Sequence, residues 1–176
     1  VGKSMEGQSV FPEKDKTETG GVGSEIFNDY SERTFEGGGT AKTGNVASGD
    51  YCHAEGRATT ASGMCDHAEG EQTVANGWNS HAEGYQSQAT EYNAHAEGNS
   101  TIASGTDSHA EGFYARATGN VAHAEGCETE VSGSNAHGEG YFVKVSGWNA
   151  HGEGNNTLAS GDNQHVQGKF NIEDSS

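Results

Sequence analysis

Every histidine in the chain falls in one frame. His53, His67, His81, His95, His109, His123, His137, His151 and His165 each stand 14 residues from the next. A fixed short period restricts a chain to architectures in which each unit rests on its neighbour. Numbered from its histidine, a unit reads His-Ala-Glu-Gly, two variable residues, Thr-x-Ala-Ser-Gly, and three residues more. Position 2 is Ala or Gly, with Val166 in the last unit. Position 3 is glutamate at Glu55, Glu69, Glu83, Glu97, Glu111, Glu125, Glu139 and Glu153, and Gln167 takes the place in the ninth unit. Position 4 is Gly throughout, and position 9 is Ala or Val in the complete units. Position 11 is Gly with one exception, Glu91. A half unit, Val46-Ala47-Ser48-Gly49, leads into the first histidine.

Such a unit has the length of one flattened coil made of two short strands and two tight corners. Glycines supply positive φ or close backbone approach at the corners. Helix is disfavoured, because no apolar 3.6-residue period exists and Gly recurs too often. The expected fold is all-β: a parallel β-roll or β-solenoid of about nine coils, paired in parallel at ~4.8 Å into a rod roughly 43 Å long. Without the repeat, an apolar share of 30% and a net charge of -17 would mark a disordered chain.

Alternation along the first strand places positions 14, 2 and 4 on one side and the His and Glu of positions 1 and 3 on the other. The first set is small enough for the inside of a thin coil. On the second strand, positions 7 and 9 suit the interior, while positions 6 and 8 face out and hold an assortment such as Thr60, Val74, Gln88, Ile102, Arg116, Glu130, Lys144 and Leu158. One outer face repeats strictly and the other varies freely. Solvent imposes no uniformity on a charged face, whereas a partner surface does. An interior of Ala, Gly, Ser and Thr also buries too little apolar area to hold up a single chain. Both points lead to a homotrimer with the histidines and glutamates, from His53 to Gln167, laddered along its axis.

The pentads Ser80-His81-Ala82-Glu83-Gly84 and Ser108-His109-Ala110-Glu111-Gly112 resemble the 14-residue left-handed parallel β-roll repeat of trimeric adhesin heads, typified by Ser-Val-Ala-Ile-Gly. Here His and Glu stand where that family directs Val and Ile toward the trimer centre. The array over about residues 44–174 is also similar to the His-Ala-Glu-Gly arrays of phage and prophage tail-fibre and appendage proteins. The tract from Gln164 to Asp174 resembles the exit from such arrays, which a self-cleaving intramolecular chaperone domain often follows. No recognisable part of such a protease domain occurs, so no catalytic residue carries over.

The organisation expected is a cap or junction over 1–38, the repeat array over 39–168, and an exit segment over 169–176. Pro12 opens a charged, loop-like tract, and Ile26, Phe27, Tyr30 and Phe35 concentrate bulk ahead of the first coil. Phe170 and Ile172 could close the last coil or lead into a next domain. The chain opens at Val1 without a signal-like segment, which reads as a processed or excised piece of a longer protein.

The balance of 9 Lys and Arg against 26 Asp and Glu argues against nucleic acid or anionic membrane as the main partner. No apolar run reaches the ~18 residues of a membrane span. Cys52, Cys65 and Cys127 fit neither a disulfide framework nor a zinc site. The recurring His-x-Glu pair could ligate a metal, but a hydrogen-bonded structural ladder is the reading preferred, with no cofactor and no catalysis. In that ladder, His pKa values would rise and Glu values fall on folding. The position-7 threonines suggest an ice-binding ladder only if they face outward, and the interior assignment argues against that. Trp78, Tyr85, Tyr92, Phe113, Tyr114, Tyr141, Phe142 and Trp148 fall at positions 5, 6 or 12. They either pack or make contact with a host cell-surface glycan or protein. The function expected is a trimeric fibre or spike segment of a phage virion, a rigid spacer or host-contact module outside the cell. The alternatives are a bacterial surface adhesin head and the stalk of a polysaccharide depolymerase.

Overall fold

A computed structural model describes residues 44–171. The expected cap over 1–38 and residues 172–176 of the exit segment, Ile172 among them, lie outside the described residues, while Phe170 is described and exposed. The described chain is a parallel β-solenoid of about nine coils, without helix. Each complete coil contributes one five-residue strand that starts at its histidine, from His53–Arg57 to His165–Lys169. It also contributes one two-residue strand, from Val46–Ala47 at the first turn to Leu158–Ala159 at the last. The long strands form one nine-stranded parallel sheet and the short strands another.

Register is fixed at one unit. His109 pairs with His95 and His123, and Glu111 with Glu97 and Glu125. Backbone hydrogen bonds run from coil to coil through the corners as well, as where His109 N–H donates to the Ala122 carbonyl at 2.9 Å. Nearly every peptide group thus finds its partner in an adjacent coil, which satisfies a backbone that has almost no interior to hide in.

The interior is as thin as its sequence requires. Positions 2, 7, 9 and 14 are enclosed: Ala96, Thr101, Ala103 and Ser108 are all buried. Position 4, expected inside, is not. The strand twists at this glycine, with φ between 98° and 126°, and turns it to the surface. A Cβ on Gly98 would lie 2.2 Å from the Gly112 carbonyl oxygen, so both the dihedral and the close approach demand glycine. At position 11 only the close approach operates, and Glu91 occupies one such site.

The corners themselves are left-handed but not glycine. Positions 6 and 13 have φ of 52° to 60° in every coil, including Asn79, Asn93, Asn135, Asn149 and Asn163 at position 13. Asparagine tolerates this conformation best among side-chain-bearing residues.

Size is also balanced within the coil. The two units that carry Gly at position 2, at Gly138 and Gly152, are those packed against Val131, Val143 and Val145. A Cβ there would meet Val131 Cγ2 at 2.7 Å and Val145 Cγ2 at 2.8 Å. The extra methyls of valine take the volume that alanine fills elsewhere. One charge is enclosed: Asp66 accepts from the Gly63 N–H at 2.7 Å and from the Ser80 N–H and hydroxyl, both at 2.9 Å. Cys52, Cys65 and Cys127 are free thiols. Burial pushes the Cys52 thiol up, and it donates to the Gly49 and Ala61 carbonyls.

Candidate functional site

Because strand alternation and one-unit register act together, the residue above and below each histidine is another histidine. From His67 to His165 the imidazoles form a continuous offset stack, with centroids 4.7 to 4.9 Å apart and planes within 14° of parallel. Only the first step is different, His53 tilting 57° from His67. The glutamates, two residues on, form a second column beside the first. In six coils Nε2 lies 3.5 to 3.9 Å from Oε2 of the same strand's glutamate. The rings shield one another so well that Nε2 of His67, His81, His95, His109, His123, His137 and His151 is enclosed and has no hydrogen-bond partner.

The stack sets the electrostatics. His67, His81, His109 and His151 are held below the ordinary imidazole value, first by burial and then by the charge of neighbouring rings. This reverses the expected rise. Enclosure strips the charged ring of water, and protonating stacked neighbours would bring like charges together at the coil spacing; the two effects outweigh the glutamate 3.5 to 3.9 Å from Nε2. The glutamates do not fall together either. Glu83 is pushed up to about 7, chiefly by side-chain hydrogen bonding with Glu69 and Glu97. Those two are held low by the same contacts. Glu111 rises in turn through its contact with Glu97. Raised and lowered carboxyls therefore alternate from Glu69 to Glu111, so neighbouring carboxyls at one rise do not all ionise together.

A metal was the competing use of this face. Five His/Glu groups bring donor atoms within 4.8 Å of one another, His95, Glu97 and His109 among them. Two nitrogens sharing a zinc ion at 2.0–2.1 Å stand at most about 4.2 Å apart, so rings whose centroids stand 4.7 Å apart would have to tilt toward one another to share one. The face carries both a ladder and sets of potential ligands.

All eight of the singled-out aromatics are exposed, between 40 and 52%. Trp78 leans on Tyr92 across one coil step at 5.3 Å. Phe113 meets Tyr114, and Tyr141 meets Phe142, edge to face. The threonines of position 7 are inside, at Thr59, Thr73, Thr101, Thr129 and Thr157, as the interior assignment required. Two features escaped the sequence reading. One is the alternation of lowered and raised carboxyls from Glu69 to Glu111. The other is a groove on the variable face, formed by position-6 and position-8 side chains that meet only when coils stack. The asparagines recurring at position 13 were a signal for the left-handed corners.

No family profile matches the chain, and no curated protein does. No helix among the described residues is long and apolar enough to cross a membrane.

Proposed function

We propose that the chain is a stiff segment of a homotrimeric extracellular fibre, of the tail-fibre or appendage kind carried by phage virions, acting as spacer or host-contact module. The observation that carries this reading is the row of seven enclosed Nε2 atoms without partners along the one face that never varies. Native chains leave few buried polar groups unsatisfied. In a trimer closed on the His/Glu face, carboxyls from neighbouring copies press toward the imidazoles and shorten contacts that stand at 3.5 to 3.9 Å in the single chain. The core gives a second reason. Its largest apolar side chains are Val131, Val143 and Val145, and the rest are alanines, which supply too little apolar area for a lone rod.

The role is mechanical rather than catalytic. Stacked coils project whatever stands on the variable face and corners away from the axis at fixed intervals. Sedimentation equilibrium at micromolar concentration should give three times the chain mass. A folded monomer would refute the reading.

A further inference from the structure

The variable face carries a groove of about 960 Å³ that runs across successive coils, a volume typical of ligand sites. Two of its lining residues, Tyr114 and Phe142, are flat rings exposed to 51% and 40%. Each is braced edge-on by the residue before it, Phe113 at 4.5 Å and 87°, Tyr141 at 4.4 Å and 84°. Both sit on left-handed corners, at φ 55° and 54°, where bulky side chains are costly and Asn is cheap. The same aromatic pair thus appears twice, two coils apart, with Cys127 and Glu128 on the coil between. The parallel rise sets the two platforms about 10 Å apart along the rod.

The charges in the groove cancel. Arg116 and Lys144 face Glu128 and Glu130, in a chain whose net charge is -17. Lys144 Nζ pairs with Glu130 Oε2 at 3.5 Å. Among the described residues Arg57 pairs with Glu71 and Lys169 lies over the Phe170 ring. Arg116 is then the one cation among them without a partner, and Glu128 has none for its carboxylate. Beside them Gln86 donates to Gln72 at 2.7 Å, extending a polar edge.

We infer that this groove binds an extended neutral polysaccharide, two of its sugar rings stacking on Tyr114 and Phe142 while Arg116 and Glu128 hydrogen-bond the hydroxyls between them. Flat braced rings suit the apolar faces of sugars, and a free guanidinium and a free carboxylate make strong bonds to neutral hydroxyls. An acidic polymer would meet Glu128 midway between the platforms. An apolar peptide would bury both free charges unpaired. The inference rests on the fibre reading only in that the groove lies away from the proposed axis.

The test is calorimetric titration of the whole chain with cellohexaose, laminarihexaose, chitohexaose and mannohexaose, and with hexagalacturonate as the acidic counterpart. Sedimentation is run on every variant. At least one neutral hexaose should bind, and Tyr114→Ala and Phe142→Ala should each weaken it about tenfold. Arg116→Gln should weaken it less, and Tyr51→Ala, an exposed ring outside the groove, should leave it unchanged. Silence with all four neutral sugars, or binding of the galacturonate alone, overturns the inference. So does binding indifferent to the two ring deletions, or their dissociating the trimer, which would make them packing contacts between copies. A trimer that binds no sugar removes the groove and keeps the fibre; a monomer that binds one does the reverse.

Discussion

The two sheets are made of the same number of strands, nine each, yet one repeats its outward residues and the other does not. On the long-strand sheet the outward residues of positions 1 and 3 have their own kind above and below, rings stacked on rings and carboxyls beside carboxyls, while position 5 at the strand's end varies as Phe113 and Cys127 do. On the short-strand sheet the outward neighbours across coils are Gln88, Ile102, Arg116, Glu130 and Lys144 in turn. Both sheets hold the same register and enclose the same small interior. Coil geometry therefore does not require the uniform face. Uniformity is imposed on one side only, where the side chains interact along the axis and where a partner copy is proposed to dock.

The comparison breaks most violently at glycine. Gly98→Ala on the long strand must adopt φ 113° and meet the next carbonyl at 2.2 Å, which should cost ~3 kcal/mol or more. Gly105→Ala faces a comparable approach at 1.9 Å but no forbidden dihedral, and Glu91 shows that the corresponding site accepts a side chain. Thermal melts should show the first losing clearly more than the second. Equal losses would mean that contact, not backbone conformation, governs both.

Interior size comes next. Gly152→Ala should be destabilising by about 1–3 kcal/mol, because its Cβ would strike Val145. Adding Val145→Ala should restore most of the loss, the coupling expected of touching side chains. A double mutant no better than the sum of the singles would show that the two positions are independent.

Acid and base sharpen the picture of the uniform face. Histidines held below their ordinary value of 6.5 contribute stability that is present above that value and lost as pH falls through the folded ones. Glu69 and Glu97, held below 4.5, contribute above that value and lose the contribution as pH falls through their folded values. Glu83 runs the other way: its contribution is full below 4.5 and lost as pH rises through about 7. The melting temperature should be highest near pH 6.5, where the histidine contribution is complete, and decline on both sides, the alkaline loss following Glu83 up to about 7. Glu83→Gln, which keeps a donor without a titration, should flatten the alkaline limb. An unchanged limb would place the shared proton elsewhere. The smallest effect belongs to the variable face, where Lys144→Ala removes an exposed ion pair to Glu130 and should shift stability by less than about 1 kcal/mol.

Much of the fold was legible because histidine is rare enough to advertise a frame. Once His53 to His165 fixed the period, alternation alone assigned the faces at positions 1, 2, 3, 7 and 9. Position 4 was misplaced because alternation assumes extended backbone, and a glycine at φ near 110° breaks the rule without leaving the strand. The site was legible only as a list. That His and Glu share a face follows from spacing, but the sign of the histidine shifts depends on how far stacking buries each ring, which spacing does not give. Tyr114, Arg116, Glu128 and Phe142 carry no periodic mark. They become neighbours only through register between coils.

The backbone hydrogen bonds between coils all point along the rod, one set per step. A pull applied to the two ends would load these sets in series, so that the weakest step opens first and the coil peels turn by turn. Compression and bending instead close strands onto one another and are resisted by every peptide at once. A single solenoid is therefore a good strut and a poor rope. Lashing three side by side places their weakest steps in parallel, and tension must then break all three at one height before the shaft extends.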